Sequence, residues 1–167
     1  LHALVNNAGI SPKGPERTRL GVIGTDAHAW TQVLNVNLVS TALLARALLP
    51  EMERAKGSIV NVTSIAGSRV HPFAGVAYAA SKAGLAALTR EMAHEFGGRG
   101  VRANAIAPGE IETSILSPGT DALVAAEVPM GRLGNPAEVA STIYFLCSDA
   151  SSYINGAEIH INGGQHV

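Results

Sequence analysis

A tyrosine and a lysine four residues apart, Tyr78 and Lys82, stand in the stretch Tyr78-Ala-Ala-Ser-Lys82, among small helix formers. On a helix that spacing puts both side chains on one face, one turn apart. An ammonium beside a phenol favours the phenolate, so the tyrosine pKa, about 10 when unperturbed, is expected to fall. A phenol tuned in that way can pass a proton to or from an alcohol near neutral pH. Upstream, Ser64 follows the apolar run Ser58-Ile-Val-Asn-Val62, and a hydroxyl at a strand end could hold the reacting oxygen. A Tyr and a Lys at this spacing also form ordinary surface pairs, so other motifs must carry the reading.

Three such motifs surround the segment. Asn6-Asn7-Ala8-Gly9 follows the run His2-Ala-Leu-Val5, where a strand would hand over to a loop. Asparagine can bond the backbone at such a corner and glycine permits close approach. Asn37 is a polar residue amid Val36, Leu38 and Val39 in a helical stretch, a setting that favours it over Asn35. Pro108-Gly109-x-x-x-Thr113 follows a third apolar run, Val101 to Ile106.

Taken in this order, the four motifs resemble the short-chain dehydrogenase/reductase family over nearly the whole chain. The resemblance implies hydride transfer between a nicotinamide cofactor, NAD or NADP, and a carbonyl or secondary alcohol. It implies Tyr78 as the acid/base, Ser64 as the group bonding the substrate oxygen, and Lys82 as the group that tunes Tyr78 and bonds the nicotinamide ribose. Asn37 would kink its helix and help hold a water linking the lysine to solvent. Asn7, Ala8 and Gly9 would contact the ribose, while Pro108, Gly109, Ile111 and Thr113 would place the nicotinamide ring. Retention of lysine at position 82 separates the chain from the similar halohydrin dehalogenases, which have arginine there. Most relatives carry the serine one residue nearer the tyrosine. Here fourteen positions separate Ser64 from Tyr78, so the loop through His71-Pro72-Phe73 must absorb one more, with Ser68 as a fallback for the hydroxyl.

The elements that would position these groups alternate. Strands are expected at 2–5, 58–63, 101–106 and 157–161. Helices are expected from Asp26 as N-cap to Leu49, with Pro50 as the stop, from Val76 to Phe96 before Gly97-Gly98, and from Asn135-Pro136 to Cys147. Continuous aliphatic strands suit a parallel sheet covered on both faces, joined by right-handed crossovers. The expected fold is therefore α/β, a Rossmann-like doubly wound parallel sheet truncated at its N-terminal half, in one domain spanning residues 1–167. Ser114 to Arg132 corresponds to the stretch that relatives close over substrate, and Gly163-Gly164 is expected to end the ordered chain.

Composition narrows the function classes. Apolar residues make up 47% and charged ones 15%, which fits a globular chain, and a net charge of −1 without a basic stripe gives no case for nucleic acid. No apolar stretch is expected to span a membrane, since Ser40, Thr41 and Arg46 interrupt the run from Leu38 to Leu49. The single Cys147 cannot form an internal disulfide, which suits a reducing, cytoplasmic setting. The six histidines are scattered, so they are read as structural and no metal is expected.

No glycine-rich phosphate-binding fingerprint opens a helix in these residues, and Gly97-Gly98-x-Gly100 ends one instead. The sequence therefore reads as the catalytic portion of a longer parent that binds a small carbonyl or alcohol substrate. The helix holding Asn37 and the small-residue helix after Val76 would pair with their copies, giving a homodimer or homotetramer. The competing expectation is a catalytically silent fragment that only oligomerises.

Overall fold

The computed structural model describes residues 1–113 and 116–167, so Ser114 and Ile115 of the substrate-covering stretch lie outside the described residues. The four aliphatic runs form β1 (Ala3–Asn6), β2 (Ser58–Val62), β3 (Arg102–Pro108) and β4 (Glu158–Ile161). They pair in parallel in the order β1-β2-β3-β4. β2 is buried along its whole length, which is why its sequence shows no polar alternation.

A long helical run, 27–55, connects β1 to β2. It comprises α1 (Ala27–Leu34), a π-helical turn at Asn35–Val39, and α2 (Ser40–Ala55). The Asp26 side chain caps its start by accepting the Ala29 N–H at 2.7 Å. α3 (Val76–Gly97) leads from β2 to β3, and α4 (Thr120–Glu127) and α5 (Pro136–Cys147) lie between β3 and β4. α5 opens on the expected capping box: Asn135 accepts the Ala137 N–H while Glu138 reaches back to the Asn135 N–H.

Alternate residues of β2 divide the core. Ile59 packs with Met52 and Ala45 of α2 and Met92, Ala93 and Phe96 of α3. Val60 and Val62 face the other way, toward Leu146, Val139 and Ile143 of α5. The sheet is thus wound on both faces. Because the strand order advances in one direction throughout, a helix on the opposite face reverses the hand of the connection. The crossover through α5 is opposite in hand to those through α2 and α3, which corrects the expectation of a uniformly right-handed winding.

Three other expectations are corrected. Pro50 does not stop α2; the helix runs on to Ala55 and ends at Lys56, whose φ of 50° is left-handed. A mid-helix proline costs about 3 kcal/mol, but the continuation seats Met52, fully buried, in the core beside Ile59. The run Ala27–Ala55 is also long and apolar enough, by length and composition alone, to cross a membrane. Here it lies along the sheet with Val33, Asn37, Thr41, Ala45 and Met52 turned inward. The chain does not lose its order at Gly163-Gly164 either. Both glycines take positive φ, the backbone turns, and Gln165 beyond them is 1% exposed.

A buried line of polar side chains ties the sheet to α3. Asn6 Nδ2 donates to Asn61 Oδ1 at 2.8 Å, Asn61 Nδ2 to Thr89 Oγ1 at 2.9 Å, and Thr89 Oγ1 to the Leu85 carbonyl at 2.7 Å. The first asparagine of the Asn6–Gly9 motif is therefore a structural tie that fixes β1 in register.

Candidate active site

The carboxyl ends of β1, β2 and β3 open onto a cavity of about 680 Å³. Its wall includes Asn7, Gly9, Ser64, Tyr78, Lys82, Pro108, Gly109, Ile111 and Thr113. Nine of the sequence-derived candidates thus converge on one space. The other two stand off the wall: Ala8 is exposed at the turn after β1, and Asn37 is buried behind it.

Each group owes its place to a local device. Ser64 leaves β2 in extended conformation and caps the short 3₁₀ turn Ile65–Gly67, its hydroxyl accepting the Ala66 N–H at 3.2 Å. Gly67 lets that turn press on α3, since a Cβ there would lie 2.9 Å from both Ala83 N and the Lys82 carbonyl carbon. The same hydroxyl stands close enough to the Tyr78 phenol, one turn before Lys82 on α3, to lower its pKa. Lys82 is 3% exposed, and its Nζ donates to the Val62 carbonyl at 2.7 Å.

Asn37 answers the demand that a buried amide be satisfied. Its Oδ1 accepts the Ile10 N–H at 2.8 Å, and its Nδ2 donates to the Ile10 carbonyl at 2.9 Å and to Ser81 Oγ at 3.0 Å. The π-helical turn gives the chain an extra residue per turn at this point, a feature frequent at functional sites. Asn37 therefore pins the loop after Gly9 against α3. The neighbouring Asn35, by contrast, is exposed.

The electrostatics depart from expectation at Tyr78. Burial raises its pKa above the ordinary value; the Ser64 hydroxyl pulls the other way, and the Glu110 carboxylate adds to the rise. Lys82 Nζ lies over the Tyr78 ring, 5.6 Å from its centroid, and turns to the Val62 carbonyl. Burial brings the Lys82 pKa down to about 8.

The remaining candidates have clear surroundings. Gly109 admits the C-terminal residues, since a Cβ there would lie 2.6 Å from Asn162 Cβ. Ile111 forms a bridge to Gly134, and the exposed Thr113 donates to the Ile111 carbonyl at 3.4 Å. Among the described residues Ser68 bonds only the Ile65 carbonyl, and His160 stacks on His166 at 4.1 Å.

Sequence reasoning missed two residues of the wall. His71 Nε2 meets Glu110 Oε1 at 2.5 Å, and both side chains are largely buried. Glu110 directly follows Pro108-Gly109, and His71 lies in the loop with the extra residue. Those two facts were the available signals.

Comparisons with known proteins bear on the family and the fold. A family model described as enoyl-(acyl carrier protein) reductase matches residues 1–166. Protein FixR of Bradyrhizobium diazoefficiens is 60% identical over 167 residues, which cover 100% of this chain and 60% of that protein. A crystal structure of an oxidoreductase from Brucella ovis, in complex with a partially ordered NAD, is 58% identical with a TM-score of 0.82, over 97% of this chain and 65% of that one. A 3-oxoacyl-(acyl-carrier protein) reductase from Brucella melitensis with bound NAD is 39% identical with a TM-score of 0.93, over 100% of this chain and 63% of that one. The chain thus spans about 60% of the length of the curated relative FixR. With a family model matched almost end to end and the same parallel fold, the chain belongs to the short-chain dehydrogenase/reductase family.

Proposed function

We propose that the chain carries the proton-transfer side of a nicotinamide-dependent oxidoreductase that interconverts a carbonyl and a secondary alcohol. The observation that supports this most is the meeting of Ser64, Tyr78 and Lys82 on one cavity wall. A phenol with a raised pKa is protonated near neutral pH, so Tyr78 is set to donate to a carbonyl oxygen in reduction. Ser64, beside the phenol on the same wall, would orient that oxygen and stabilise charge as it develops.

The wall suits NAD or NADP. Among the described residues Lys82 has one protein acceptor for three N–H donors, and Gly9 keeps the backbone close: a Cβ there would be 3.4 Å from Lys82 Nζ and 3.5 Å from Asn37 Oδ1. Asn7, Ala8, Gly9 and Lys82 would hold the ribose, and Pro108, Gly109, Ile111 and Thr113 the ring. When bound, the dinucleotide supplies or accepts the hydride. Asn37 would keep the Gly9–Ile10 turn in place for it.

The test is a titration with NADH and NADPH followed by Trp30 fluorescence, together with turnover of simple ketones and alcohols. Saturable binding with turnover lost on Tyr78→Phe is the expected result; Tyr78→Phe with full activity would sink the reading. A second reading, a silent oligomerising domain, draws support from the exposed Val39, Leu43 and Leu44 along one helical run. It predicts self-association with no cofactor binding at all.

A further inference from the structure

We propose that Glu110, held by His71, selects substrates that carry a hydrogen-bond donor, a hydroxyl or an amine, beside the reacting carbon. The inference rests on the oxidoreductase reading and names the substrate class for that cavity. His71 Nδ1 accepts the Phe73 N–H at 3.2 Å, so the ring proton resides on Nε2 and is donated to Glu110 Oε1. One carboxylate oxygen is thereby fixed. The other, Oε2, makes no hydrogen bond among the described residues and is not one of the fully buried unpartnered atoms, so it stays open to solvent, and Glu110 lines the cavity.

The backbone holds Glu110 as firmly as its side chain is held, for its carbonyl accepts the Gly134 N–H at 2.9 Å. Its charge is felt at Tyr78, which places the carboxylate near the group proposed to exchange the proton. Much of the surrounding wall is apolar, with Ile65, Phe73, Leu116 and Ile143. A hydroxyl or amine brought to that oxygen would replace water as its donor, and a second carboxylate brought beside it would be repelled. Lys13 is another cation on this wall, and its Nζ already donates to the Phe73 carbonyl. The loop through His71-Pro72-Phe73 carries His71 to Glu110. A donor-bearing substrate such as a vicinal diol or amino alcohol fits this wall, and a 2-hydroxy acid does not.

Three probes on one ring separate the possibilities: 1,2-cyclohexanediol, 2-aminocyclohexanol and 2-hydroxycyclohexanecarboxylate. Their binding to the chain is followed through the NMR shifts of the His71 imidazole, with no turnover required, in the wild type and in Glu110→Gln. The diol and amino alcohol are expected to bind roughly 10- to 100-fold more tightly than the acid, with that advantage lost in the variant. Equal or tighter binding of the acid would overturn the proposal in favour of Lys13. So would a failure of every probe to shift His71. A tie serving only structure would lower the melting temperature of Glu110→Gln and leave the probe ranking unchanged, which also overturns it. Selective binding without any turnover upholds the donor preference and sinks the oxidoreductase reading instead.

Discussion

Lys82 has been taken out of water with, among the described residues, a single carbonyl as hydrogen-bond partner, and that has a signature in pH. Its pKa of about 8 in the folded chain lies below the ordinary 10.5, so between those values the unfolded chain binds more protons. Stability therefore rises as pH goes from 8 to 10.5, and the penalty is fully present below 8. The full difference corresponds to roughly 3 kcal/mol. Urea unfolding of the wild type and Lys82→Met should show the wild type gaining on the variant across that range; parallel curves would remove the argument. Lys82, Tyr78, Ser64 and Asn37 were legible in the sequence because each is a chemical type at a telling distance from a strand end or a neighbour. The direction of the Tyr78 shift was not. It depends on how deeply the phenol is buried and where Nζ points, and spacing encodes neither. The His71–Glu110 contact joins residues 39 apart through two loops, which no periodicity reports.

At the scale of elements, the approach of the Ile65–Gly67 turn to α3 brings Ser64 to Tyr78. Gly67→Ala would drive a methyl into the backbone of Lys82 and Ala83, with an expected loss of about 1–3 kcal/mol and of most turnover. Gly98→Ala is the matched control: its φ is −64° and nothing lies within 4 Å of the added Cβ, so a gain of about 0.5 kcal/mol is expected. Calorimetric melts of the two variants check both signs. Strand and helix positions were readable from aliphatic runs and from caps such as Asp26 and Asn135. The passage of α2 through Pro50 was not, because local propensity argues for a stop and the burial of Met52 decides otherwise. The π-helical turn was visible only as an out-of-place asparagine.

For the whole molecule, the long helical run leaves Val39, Leu43 and Leu44 facing solvent at 42%, 56% and 45% exposure. Apolar positions that recur along a helix and remain bare favour a second copy. Sedimentation of the chain should show dimers or tetramers, and Leu43→Glu should return monomers with an unchanged melting curve; a monomeric wild type would end that expectation. The parallel order of the sheet was legible, whereas the reversed hand through α5 was not, since strand patterns do not say which face a helix will cover. That reversal also divides the strands unequally. Leu4 and Asn6 of β1 pack toward α2 and α3, but Val5 points to the face that α5 covers only farther along, and is 40% exposed. α5 answers to Val60 and Val62 on its own face, so that helix can work loose while the packing around Ile59 on the other face stays intact.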